Sequence, residues 1–133
     1  MKKVFIHGTV AGVTSATVAI IYNISYSNAL FVDFSKVVNP VSITSANIFG
    51  CLLASLGYYF FAKKVTRHTD VWFNIIFLLL SFASFASPFA THLPLDVQSP
   101  ELFPGLAIPM HIFPVLLWIA TKPLFDYKDV IEK

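Results

Sequence analysis

Residues 4–22 read VFIHGTVAGVTSATVAIIY, a run without one charged side chain. A helix needs ~20 apolar residues to cross the ~30 Å of hydrocarbon in a bilayer, and this run has that length. Three more runs of the same character follow, at 46–62, 71–89 and 103–121. Lipid offers no partner to an unpaired backbone N–H or C=O, so each run must close its hydrogen bonds internally as a helix. The chain therefore reads as an all-α membrane protein. It is a single domain over 1–133, a four-transmembrane-helix bundle with its helices antiparallel, up and down.

The composition agrees. Hydrophobic residues make up 56% of the chain and charged residues only 12%, about half the ~25% typical of soluble domains. Too little polar surface remains to cover a water-soluble fold. Lys2 and Lys3 ahead of an apolar run imitate a signal peptide. With three further runs and no small-residue cleavage site, the first run reads as a retained span.

Basic residues near span ends set orientation. Lys2 and Lys3 precede the first span, Lys63, Lys64 and Arg67 join the second to the third, and Lys122 and Lys128 follow the fourth. The other two connections hold only Lys36, against Asp33, Asp96 and Glu101. This predicts a multi-pass protein of the plasma (inner) membrane with both termini cytoplasmic. In the long first outer connection, Leu30, Phe31, Phe34, Val37 and Val38 share one helical face opposite Asp33 and Lys36. That predicts a short interfacial helix ended by Asn39-Pro40, with an irregular loop over the bundle mouth as the alternative.

Small residues recur at four-residue spacing. Gly8 and Gly12 form a GxxxG in the first span, continued by Ser15 and Ala19; the second carries Ala46, Gly50, Ala54 and then Gly57. Close backbone approach drives helix association in lipid, so Gly8, Gly12, Gly50, Ala54 and Gly57 are candidate packing positions between the first two spans. A homodimer seam through Gly8 and Gly12 is the alternative.

No Asp, Glu, Lys or Arg lies inside any run, which argues against a proton-driven carrier or voltage sensor. In the third run, Asn74, Ser81, Ser84 and Pro88 share a face that should point into the bundle, with Phe73, Phe82 and Phe89 turned more toward lipid. His111 stands in Pro109-Met110-His111-Ile112-Phe113-Pro114 of the fourth run. Pro109 and Pro114 lack the N–H that would reach the carbonyls of Gly105 and Met110, so the helix should kink beside an imidazole. A small polar pocket of His111, Ser81, Ser84, Pro109 and Pro114 is the functional reading. A structural His111 bonded to a serine at its own depth on the third helix is the competing one.

No catalytic or cofactor motif appears: no GxSxG, HExxH, P-loop or Gly-rich dinucleotide turn. Cys51 is the only cysteine, which excludes an intrachain disulfide and a cysteine-rich metal site. The four histidines sit at different depths or in loops, so no metal site and no cofactor is expected. Nor does a basic aromatic face suggest nucleic acid.

The order of features resembles an uncharacterised family of small bacterial four-helix integral membrane proteins, classed as a domain of unknown function. The matching pieces are the Lys-led first helix with Gly8 and Gly12, and Asn39-Pro40-Val41-Ser42-Ile43. Further on come Leu80-Ser81-Phe82-Ala83-Ser84 through Ser87-Pro88-Phe89, and Met110-His111. Pro109 and Pro114 around Met110-His111 depart from that pattern. The resemblance implies location and helix count, and no activity. Two functions remain open. One is a non-enzymatic accessory or partner-binding subunit of a membrane assembly, with a membrane protein or a second copy as partner. The other is a binding or transport protein for a lipid, quinone or similar amphipathic molecule, using a pocket near His111.

Overall fold

Each apolar run folds into the one regular form that pairs its own backbone groups. The computed structural model describes residues 2–65 and 67–125; Lys128, among the basic residues after the fourth run, lies outside them. The elements are α1 (Lys2–Leu30), α2 (Pro40–Lys64), α3 (Thr69–Ala83), α4 (Ser87–Ala90) and α5 (Phe103–Thr121). A 3-10 turn, Ser84–Ala86, links α3 to α4, and two more flank α5 at Pro100–Leu102 and Lys122–Leu124. No described residue lies in a strand. With α3 and α4 taken as one rod, four helices are long and apolar enough to cross a membrane.

Contacts fix an antiparallel arrangement. The Ser55 hydroxyl late in α2 lies 3.1 Å from the carbonyl of Val4 early in α1. Tyr26 late in α1 donates to the carbonyl of Leu102, before α5 (2.8 Å). Ser84 past the end of α3 meets His111 in mid-α5. One end of the bundle therefore gathers Lys2, Lys3, Lys63, Lys64, Arg67 and Lys122. The other carries the two longer connections.

The α1–α2 seam is the closest in the molecule. A Cβ on Gly8 would sit 1.9 Å from the Ser55 hydroxyl and 2.8 Å from the Cys51 carbonyl; on Gly12 it would sit 2.8 Å from the Ile48 Cα. Ser15 donates to Asn47 Oδ1 across the seam, and Asn47 Nδ2 donates back to the Ile43 carbonyl (2.8 Å). The face that α2 buries is Ile43, Asn47, Cys51, Ser55, Tyr58 and Ala62. This corrects the expectation for Gly50, Ala54 and Gly57. All three lie off that stripe: a Cβ on Gly50 would meet nothing within 4 Å and one on Gly57 only Phe73, while Ala54 is partly buried at the edge of the core cluster that includes Val4 and Ala11. Spacing alone identifies a small-residue face but not its neighbour.

The first long connection forms no interfacial helix. α1 runs on to Leu30, and Phe31 (φ 55°) ends it in the left-handed region, a costly conformation for so bulky a residue. Beyond it Val32 and Phe34 turn inward and are buried, while the Asp33 carboxylate accepts the Ser35 N–H (2.8 Å). This is extended alternation, of period two, in place of a helical face. Phe34 packs edge-on against Phe103 and closes that end of the bundle with Leu106 and Ala107. Asn39 then caps α2: its side chain accepts the Ser42 N–H (2.9 Å), and its own N–H donates to the Ser42 hydroxyl (3.0 Å). Pro40 at the first helical position suits its fixed φ. Asn39-Pro40 starts a helix where it was expected to end one.

At the basic end the core is aromatic. Tyr58, Phe73 and Trp118 converge, with Phe77 edge-on to Trp118. Phe73 is thus buried rather than turned outward, whereas Phe82 and Phe89 are exposed as expected. Phe73 lies eight residues before Ser81 and shares its inward face.

Candidate functional site

Two polar constellations sit among these helices. The one near the basic end was not read from the sequence. His7, fully buried, lies against Trp118 and Phe125 with ring centroids 4.3 and 4.9 Å away. Thr121 spends its hydroxyl proton on the Leu117 carbonyl (2.6 Å). Nε2 of His7 must therefore carry the proton that reaches the Trp118 carbonyl (3.0 Å), with the Thr121 oxygen 2.9 Å away as a second acceptor. Alongside, Asp70 at the start of α3 accepts from the Tyr58 hydroxyl of α2 and pairs with Lys122, which also lies over the Tyr58 ring (4.5 Å to its centroid). Asp70 and Lys122 flank the apolar runs by one residue each, which is why a search for charges inside the runs passed over them. Their placement, each polar group tied to a neighbouring helix, is that of a clasp holding α2, α3 and α5 together.

The second constellation lines an open cleft. α3 meets α2 only near the basic end, where Tyr58, Phe61 and Gly57 face Asp70 and Phe73. Beyond that level the space between them opens into a cleft of about 630 Å³, walled by α2, the α3–α4 rod and α5. The small residues Ala46, Gly50, Ala54 and Gly57 form its α2 wall. They leave it empty because they have no side-chain volume to fill it with. Ser42 to Gly57 covers about four turns of α2, so the cleft is ~22 Å long at ~1.5 Å rise per residue.

Its polarity is graded. Toward the basic end the walls are Leu53, Gly57, Phe73, Ile76 and Phe77; toward the other end Ser42, Asn47, Ser81, Ser84, Ser87, Thr91 and His111 stand among Val38, Ile43, Leu80, Phe103, Ala107 and Met110. Among the described residues that line it, none is Asp, Glu, Lys or Arg.

The expected pocket residues assemble in part. His111 Nδ1 lies 3.1 Å from the Ser84 hydroxyl, and Ser81, Ser84, His111 and Pro114 all line the cleft. Ser84, one turn beyond Ser81, is the imidazole's partner. Pro109 does not line it and so is corrected as a pocket residue. It lies five residues before Pro114 and so on another side of α5. The carbonyl that it strands, that of Gly105, accepts the Tyr22 hydroxyl of α1 (2.9 Å). Asn74 is not part of the cleft either; its Oδ1 is buried with no hydrogen-bond partner among the described residues. The sequence offered no sign of the cleft's length, because that depends on where α3 leans.

Comparison with family models, curated proteins and solved structures finds no match for this chain.

Proposed function

We propose that the chain is a multi-pass membrane protein that binds one small amphipathic molecule in the cleft between α2 and the α3–α4 rod, without chemistry of its own. The observation that carries this is the cleft. Its volume of about 630 Å³ falls in the ~300–1,000 Å³ range of small-molecule sites, and its polarity runs from apolar to hydrogen-bonding along one axis. A molecule with a hydrocarbon chain and a compact uncharged head fits that gradient, while an ionised head would be buried without a counter-charge. We further propose that the basic end lies in the cytoplasm of a bacterial cell, since the basic side chains at the helix ends collect there.

The test uses the full chain in mild detergent and native mass spectrometry. Wild type should retain one equivalent of an amphiphile, and Gly50→Phe, which fills the cleft from a position with open space, should lose it with little change in thermal stability. Wild type that comes out empty at every detergent strength would sink the reading. A second reading, an accessory subunit, draws on the same open α2 wall, into which a partner's transmembrane helix could pack. A stoichiometric partner chain released by Gly50→Phe would support it instead.

A further inference from the structure

We infer that the cleft selects a head group that donates a hydrogen bond, an alcohol or phenol hydroxyl on a hydrocarbon chain, and that His111 Nε2 is the atom that receives it. This deepens the binding reading above and rests on it.

Proton accounting along the polar end of the cleft leads there. A seryl hydroxyl has one proton. Ser84 stands 2.6 Å from the Ser81 carbonyl, and two oxygens approach so closely only with a hydrogen between them. Its proton being spent, Ser84 can only accept from His111, so Nδ1 bears the imidazole proton and Nε2 presents a lone pair. His111 lines the cleft, and among the described residues no group bonds Nε2. Two neighbouring hydroxyls are occupied as donors. Ser42 donates to the Asn39 carbonyl (2.8 Å) and Thr91 to that of Ser87 (3.0 Å). Pro114, one turn past His111, has no N–H for the Met110 carbonyl. Ser81 and Ser87 also line this end, and their hydroxyls remain able to donate; what His111 Nε2 lacks is a donor of its own. A carbonyl, ether or ester head could accept from those serines but would leave Nε2 unserved, whereas a hydroxyl can both accept from a serine and donate to the ring.

The test is equilibrium binding of two probes of equal chain length, radiolabelled hexadecanol and its methyl ether, to the full chain in nanodiscs. Hexadecanol should bind roughly ten-fold tighter, the worth of one net hydrogen bond. His111→Phe should abolish that difference while still binding the ether. Nitrogen NMR of labelled histidine should find the His111 proton on Nδ1 in the unliganded wild type, a readout independent of any variant. Equal binding of the two probes, lost in Gly50→Phe, would overturn the hydroxyl assignment and leave the cleft reading standing. So would a proton on Nε2. Binding of neither probe, or binding that Gly50→Phe leaves unchanged, would overturn both.

Discussion

At the residue scale, three glycines that look alike in the sequence occupy unlike positions. Gly8 and Gly12 have α2 backbone where a side chain would begin; Gly50 has nothing. Alanine is the better helix former by ~1 kcal/mol, so propensity favours Ala at all three sites and only sterics separate them. Gly12→Ala is expected to destabilise the protein by ~1–3 kcal/mol, the usual cost of overpacking, because the obstructing atom is the Ile48 Cα and cannot swing aside. Gly50→Ala should be neutral or mildly stabilising. Thermal unfolding of both variants in one detergent decides it, and equal melting temperatures would show that Gly12 has room. Much was legible at this scale. Gly8 and Gly12 lie close against α2, and Ser15 and Ala19 continue the same buried stripe. Gly50, Ala54 and Gly57 form an equally regular stripe, and periodicity cannot say whether such a stripe meets a helix or a void.

At the scale of elements, the two longer connections are held to each other. Lys36 in the first pairs with Asp96 in the second, and both side chains are well exposed. The pairing raises the Lys36 ammonium above its ordinary value, chiefly through the hydrogen bond from Lys36 to Asp96. The same bond is the main cause that holds the Asp96 carboxyl below its ordinary value. The contribution from Asp96 is present above its ordinary value and lost as pH falls through the depressed folded one; that from Lys36 is lost only as pH rises through its raised value. The tie therefore persists across the neutral range. Lys36→Met should return Asp96 toward an ordinary carboxylate titration, followed by carbon NMR of the labelled side chain, and an unmoved titration would mean that the pair does not form in solution. The loop takes the irregular alternative over the bundle mouth rather than the interfacial helix, for a physical reason. Leu30, Phe31, Phe34, Val37 and Val38 fall at helical spacing, but closing the core needs Val32 and Phe34 together, and that tertiary burial wins, leaving Phe31 92% exposed.

At the scale of the whole molecule, helix number and antiparallel order were evident from the outset, since runs of that length and composition have no other regular form in lipid. Depth counting from the span ends also brought His111 to within a turn of its serine. What it could not give was the lean of α3, which is set by the Tyr58–Asp70–Lys122 clasp at one end and the tied loops at the other. Orientation in the membrane has its own test. In a Cys51→Ala background, Leu95→Cys, on the fully exposed tip of the second long loop, should react with an impermeant maleimide in intact cells. Lys64→Cys at the basic end should react only after permeabilisation. The opposite pattern would invert the proposed topology.

The bond from Tyr22 to the Gly105 carbonyl decides which substitutions can be combined. A proline at 109 strands that carbonyl, and in a bilayer no water is at hand to satisfy it. The phenol supplies the hydrogen bond that the proline takes away, so substitutions at the two positions should not be additive. Tyr22→Phe alone is expected to be harmful. In a Pro109→Ala background, where the amide of residue 109 serves the carbonyl from within the helix, the same change should be nearly silent.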